Sequence, residues 1–309
     1  MKALTTEQIR AVIARGKLKD SLFQAVGILC LAIGLLVILL LVGDMLLRGL
    51  DRLSPDFFTN FASRRAAQSG ILSAWVGTIL VMFVTAMAAV PLGVAAGIYL
   101  EEYARRNWVT EIIEINITNL AAVPSIVYGL LSLGIFVYAF GFGQSILSAG
   151  LTLALLILPI VIVSTREAIR AIPAMIREGS MAVGATRWQT CRYHIIPYAM
   201  PGILTGVIIG LARAIGETAP IITIGALTFI AFLPPAPFST TGEGTAGLFD
   251  WVMSPFTVMP IQIFNWTSRP DPAFEINAAA AGFVLMAMVL SMNALAIWLR
   301  YRLRKNIKW

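Results

Sequence analysis

Charge is scarce in this sequence. Asp, Glu, Lys and Arg together make up 13% of 309 residues, against about 25% in a soluble domain. So few charges cannot cover a globule of this size, which excludes an ordinary cytosolic enzyme, a disordered chain and a coiled coil. Histidine is nearly absent: His194 stands alone, which excludes HExxH and any multi-histidine metal site. The two cysteines, Cys30 and Cys191, lie far apart and form neither a disulfide framework nor a metal motif. No GxxxxGK[ST] string occurs, so the chain has no P-loop, and any ATP chemistry belongs to a partner. No nucleophile–base pair is visible beside a membrane site, so no enzymatic activity is expected of the chain itself. What is present is apolar sequence, 58% of residues with a mean hydropathy of +0.83. That leaves an integral membrane protein. The net charge of +7 invites a nucleic-acid reading. The basic residues, however, sit in blocks between apolar runs, the pattern of cytoplasmic loops, so no nucleic-acid partner is expected.

A membrane-crossing helix needs about 20 apolar residues. Six runs qualify, at roughly 22–47, 71–100, 117–140, 145–164, from 198 to 218 or beyond, and 278–299. The first is too long for the apolar core of a signal peptide, and no small-residue cleavage site follows it, so it reads as a retained membrane helix. Five Lys and Arg residues fall in each of 1–21, 165–197 and 300–309. With six helices these blocks share one side, which places both termini in the cytoplasm. Two segments fit less well. Loop 48–70 carries Arg48, Arg52, Arg64 and Arg65 outside, and loop 101–116 carries four glutamates inside.

Prolines recur within the runs at Pro91, Pro124, Pro159, Pro201 and Pro220. Each removes a backbone hydrogen bond that lipid cannot replace. Gly202, Gly206 and Gly210 form overlapping GxxxG steps, and Gly93 and Gly97 form another. Such faces allow close helix packing. The fifth run also carries two charges, Arg213 and Glu217, spaced i,i+4 on one helical face. An Arg at a membrane helix centre costs about 2.5–3.5 kcal/mol on insertion scales. A sequence without charges would insert more easily, so the pair points to function. The guanidinium offers a planar fork of donors to an oxyanion, and Glu217 neutralises it while the pathway is empty. Thr218 and Thr223 would add hydroxyls, unless they bond their own backbone. The alternative is a structural ion pair that fixes helix register or sits near the cytoplasmic interface.

The segment 165–197 is a basic loop of about 30 residues interrupted by Pro173. Residues 174–182 suit a short amphipathic helix, with Met175, Ile176 and Met181 as a contact face and Gly184 as its end. It would dock on a partner or lie on lipid headgroups. Glu178, Gly184 and Pro197 match the spacing of the EAA loop, although Gly179 and Ser180 replace its two alanines and His194 and Ile196 stand where Ile and Leu are usual.

That loop, the string AVPSIVYG at 122–129, RAIGETAP at 213–220 and SPFTVMPIQIFNW at 254–266 resemble the PstA-type permease subunits of bacterial phosphate ABC importers. The resemblance covers roughly 71–299. It implies an all-α membrane protein with six transmembrane helices in the type I ABC importer permease fold. It divides the chain into a leader, first helix and outer loop (1–70), the transmembrane domain (71–299) and a basic cytoplasmic tail (300–309). It implies a heterodimer with the sister permease PstC, two copies of the ATPase PstB, which bind ATP and Mg, and the phosphate-binding protein PstS outside. This chain would bind no cofactor or metal. Arg213 and Glu217, with Thr218 beside them, would line the substrate pathway, and Glu178, Gly184 and Pro197 would belong to the ATPase-coupling loop. Rival readings are the PstC-type subunit, a permease for another oxyanion, an ion-coupled secondary transporter and a structural scaffold. The long outer loop 231–277, with Trp251 and Trp266, would be either a cap or docking surface for a binding protein, or a packed or anchoring segment.

Overall fold

The computed structural model describes residues 6–105, 107–236, 240–241, 244–245 and 247–304. Five helical spans are long and apolar enough to cross a membrane. The first is α1 (Thr6–Gly49), which the short helix α2 (Pro55–Thr59) follows. The second is α3 (Leu72–Ile98) with a π-helical turn, Tyr99–Tyr103. The third is α6 (Ile146–Arg170). The fourth joins α8 (Arg187–Thr190), the π-helical turn Cys191–Ile195 and α9 (Ile196–Gly216). The fifth is α12 (Ala273–Arg304).

The run expected as a single span at 117–140 is instead a bent pair. Helix α4 (Trp108–Leu120) meets α5 (Ser125–Ser132), which continues as a π-helical segment to Ala139, at an angle of 107°. Counted as one span, the pair brings the total to six. Pro124 explains the break, because its ring clashes with the carbonyl four residues back. That residue is Leu120, where α4 stops. The freed Leu120 carbonyl accepts a 2.8 Å bond from the Tyr128 hydroxyl.

Helix α6 is the centre of the bundle, and the glycine faces pack on it from two sides. A Cβ at Gly97 of α3 would lie 2.7 Å from Thr165 Cβ, and one at Gly202 of α9 would lie 2.6 Å from Ala168 Cβ. At Gly206 it would overlap Ser164. The GxxxG steps therefore serve packing within this chain. Gly206→Val is expected to cost about 1–3 kcal/mol through overpacking, seen as a lower thermal unfolding midpoint in detergent. An unchanged midpoint would contradict the close approach of α6 and α9.

One part of the outer loop, residues 256–266, is built into the bundle. Helix α11 (Met259–Thr267) buries Met259 and Trp266 against a cluster that includes α12, and Ile261 against a second cluster that includes α3 and α6. The Thr78 hydroxyl of α3 accepts from the Met259 backbone N–H, and Ile146 N–H donates to the Ser254 carbonyl. The loop's only described strands form a two-residue ladder, β1 (Thr240–Thr241) with β2 (Gly244–Thr245). Of the basic residues outside, Arg52 is structural. It donates to Asn277 and to the carbonyls of Ala66 and Ser69, and its guanidinium lies over Phe57.

Candidate functional site

The fifth apolar run also breaks earlier than expected. Helix α9 ends at Gly216, Glu217 takes an extended backbone (φ −78°, ψ 120°), and α10 (Ala219–Ile224) follows. The cause is again a proline: Gly216 is the residue four before Pro220, whose ring cannot follow an unbroken helix. Arg213 and Glu217 therefore do not share a helix face. They meet across a helix end, Arg213 Nε donating to Glu217 Oε1 at 3.1 Å. The guanidinium occupies the last turn of α9, where the helix dipole favours a cation. It stands seventeen residues, about 26 Å at 1.5 Å per residue, from the start of α9, well away from the basic end of the bundle.

The two partners face different ways. The Arg213 side chain is 44% exposed and Glu217 19%. Glu217 lines a small apolar cavity with Thr78, Leu153, Val258 and Pro260. Arg213 thus points off the surface of this chain while Glu217 steers it from within. Thr218 is half-buried and lines a groove with Ile222, Pro260 and Leu285. Thr223 bonds its own backbone, its hydroxyl donating to the Pro220 carbonyl at 2.8 Å.

The two helix breaks pack together. A Cβ at Gly129 of α5 would lie 2.7 Å from Pro220 Cα. The strings AVPSIVYG and RAIGETAP, 84 residues apart at Gly129 and Arg213, are therefore neighbours in space. Broken helices that face each other leave irregular backbone inside the bundle, which a membrane protein tolerates where it lines a cavity or is covered by protein.

At the basic end lies α7 (Ala174–Ala182). Gly184 terminates it as expected, with φ +91°. Gly184 N–H donates to Met181 O and Ala185 N–H to Ser180 O, the two bonds of a Schellman cap. Glu178 is exposed on α7, and Pro197 sits in the first turn of α9. The expected contact face needs one correction. Met175 and Met181 are exposed, but Ile176 packs inward with Ile169, Ile172 and Ile195. The outer apolar surface is completed instead by Val183 and Trp188.

Three of the four glutamates that fitted the topology poorly, Glu101, Glu102 and Glu114, prove to be paired. Arg166 bridges Glu101 and Glu114, Arg170 binds Glu101, and Arg177 binds Glu102. The acidic loop is neutralised by arginines of 165–197, so it belongs on the same side as the basic block. Sequence reasoning missed these partners because their sequence separations, 75 residues for Arg177 and Glu102, leave no local pattern. The one signal was the misfit itself.

The sequence matches the family described as "Binding-protein-dependent transport system inner membrane component" over residues 89–309. It is 32% identical over 296 residues to the probable ABC transporter permease protein YqgI of Bacillus subtilis, covering 94% of this chain and 98% of that protein. It is 30% identical over 232 residues to phosphate transport system permease protein PstA 1 of Mycobacterium tuberculosis (strain CDC 1551 / Oshkosh), covering 75% and 71% of the two chains. Its fold resembles a crystal structure of a bacterial ABC transporter involved in the import of the acidic polysaccharide alginate, with a TM-score of 0.56 over 93% of this chain and 99% of that one, at 14% identity. The chain therefore belongs to the inner-membrane components of binding-protein-dependent transport systems, and it is a multi-pass permease subunit of an ABC importer.

Proposed function

We propose that this chain is a PstA-type permease that carries inorganic phosphate in an ATP-driven importer. The observation that carries the reading is the Arg213–Glu217 pair on the broken helix. A guanidinium held by one carboxylate through Nε, yet open on its outer side, binds an oxyanion without giving up that carboxylate. The anion takes the free N–H donors, and Glu217 keeps the side chain aimed. Because Arg213 faces off this chain's own bundle, a second permease of PstC type would close the other wall of the pathway. The likeness to a phosphate transport permease supports phosphate as the anion.

In the same reading the complex holds two copies of a PstB-type ATPase, which bind ATP and Mg, and one of them docks against α7, with Glu178, Gly184 and Pro197 in the loop that it receives. A PstS-type binding protein delivers phosphate at the outer face. This chain supplies the path and the docking surface and holds no nucleotide.

The test is uptake of radiolabelled phosphate in cells with and without this chain, its neighbouring subunits present, with unlabelled sulfate and molybdate as competitors. Uptake that needs the chain and ignores both competitors is the expected result. Uptake unaffected by its loss would overturn phosphate as the substrate. Repeating the assay with labelled sulfate or molybdate would then identify another anion.

A further inference from the structure

Arg177 commits all three of its guanidinium nitrogens at the basic end. It lies on α7, yet nearly all it touches belongs to other elements. Its Nη1 donates to the Ile172 carbonyl at 2.9 Å, and its Nη2 to the Ile169 carbonyl at 2.9 Å. Its Nε donates to Glu102 Oε1 at 2.9 Å, and Nη2 approaches the same oxygen at 2.8 Å. Ile169 is the residue four before Pro173, so its carbonyl has lost its i+4 donor and keeps a 3.1 Å bond from the Ile172 N–H. One guanidinium thus caps the end of α6 and pins α7 to the π-helical turn that follows α3. Both charged side chains are largely buried, Arg177 at 22% exposure and Glu102 at 15%.

The joint needs such a pin. Helix α6 and α7 are linked through Ile172 and Pro173, and the link holds few backbone bonds. Elsewhere α7 is attached by Ile176 in the apolar cluster and by a 2.9 Å bond between the Ser180 and Thr190 hydroxyls. Neither reaches α3. Glu102 supplies the charged tie between α7 and the helix whose Gly93 and Gly97 pack on α6.

We propose that Arg177 and Glu102 are positioning residues that lock α7 to α3, so that movement imposed on α7 enters the bundle instead of being absorbed at the Pro173 joint. The coupling part of this proposal rests on the reading of α7 as an ATPase-docking helix. The guanidinium fork suits the task because its donors are held in one plane and engage three oxygens together. A lysine at this position would reach fewer of them.

Glu102→Gln and Glu102→Ala are the variants of choice, because both leave Arg177 to cap α6. The first experiment uses the assembled complex in vesicles and measures ATP hydrolysed per phosphate imported. A lost link of ordinary coupling strength should raise that ratio by about 2- to 30-fold in Glu102→Ala, with a smaller rise in Glu102→Gln. Retention of the ATPase on the complex should not change. The second measures amide hydrogen exchange of residues 174–184 in the same complex, where Glu102→Ala should exchange faster. An unchanged ratio together with unchanged exchange would overturn the link. Failure of the wild-type complex to import phosphate would instead overturn the assigned substrate. The exchange measurement needs no anion, so it still decides whether Glu102 holds α7.

Discussion

Arg213→Gln is expected to cut phosphate uptake by roughly 10- to 150-fold, the range given by losing a hydrogen-bonded charge worth about 1.5–3 kcal/mol. Assembly should survive. The Arg213 side chain lies on an exposed face with Glu217 as its ion-pair partner, so its loss leaves no cavity in the core. Glutamine keeps polarity and some length but loses the positive charge and the planar fork. Arg213→Lys should fall between the two, because an ammonium keeps the charge without the fork geometry. Glu217→Gln separates aim from charge. It preserves the guanidinium but weakens the 3.1 Å contact that orients it, so phosphate affinity should fall less than in Arg213→Gln. Normal uptake by an assembled Arg213→Gln variant, accompanied only by lower stability, would show that the pair merely fixes the helix end.

The apolar runs were legible in the sequence because crossing a bilayer requires a length and composition that nothing else in the chain shares. The interruption at Pro173 was legible too, but the breaks before Pro124 and Pro220 were not. Pro124, Pro173 and Pro220 each end a helix at or within one residue of the position four before them. Pro91, Pro159 and Pro201 sit inside α3, α6 and α9 without ending them. The local chemistry is the same in all six. What differs is the surroundings: Tyr128 and Arg177 stand ready to satisfy two of the freed carbonyls, and no local pattern announces those partners. The Arg213–Glu217 pair was found by its i,i+4 spacing, and the contact is present, although the helix that made the spacing meaningful stops at Gly216. The end of α7 was legible because a left-handed residue all but requires glycine. Its inward face was not, since periodicity assigns Ile176 to an apolar stripe without saying whether the bundle or a partner covers it.

Gly184→Asp tests the docking surface itself. A Cβ at Gly184 would meet nothing within 4 Å, so this chain has room for a side chain there. The internal cost is limited to backbone strain at φ +91°, about 1–2 kcal/mol for most residues and less for Asp. A carboxylate at the C-terminal end of α7 adds an unfavourable interaction with the helix dipole, about 0.3–1 kcal/mol. Neither effect should unfold a bundle whose core lies elsewhere. A partner seated on Met175, Met181 and Val183, by contrast, would meet both bulk and charge at the position where the surface now holds only hydrogen. Retained ATPase and phosphate uptake should therefore fall together by roughly ten-fold or more, while the chain still reaches the membrane. Gly184→Ala carries the backbone strain without the charge, so it should be milder on both counts. If the Asp variant keeps its ATPase and its transport, the α7 surface is not where the ATPase docks. Equal losses in Asp and Ala would trace the effect to the Schellman cap and not to the partner's contact.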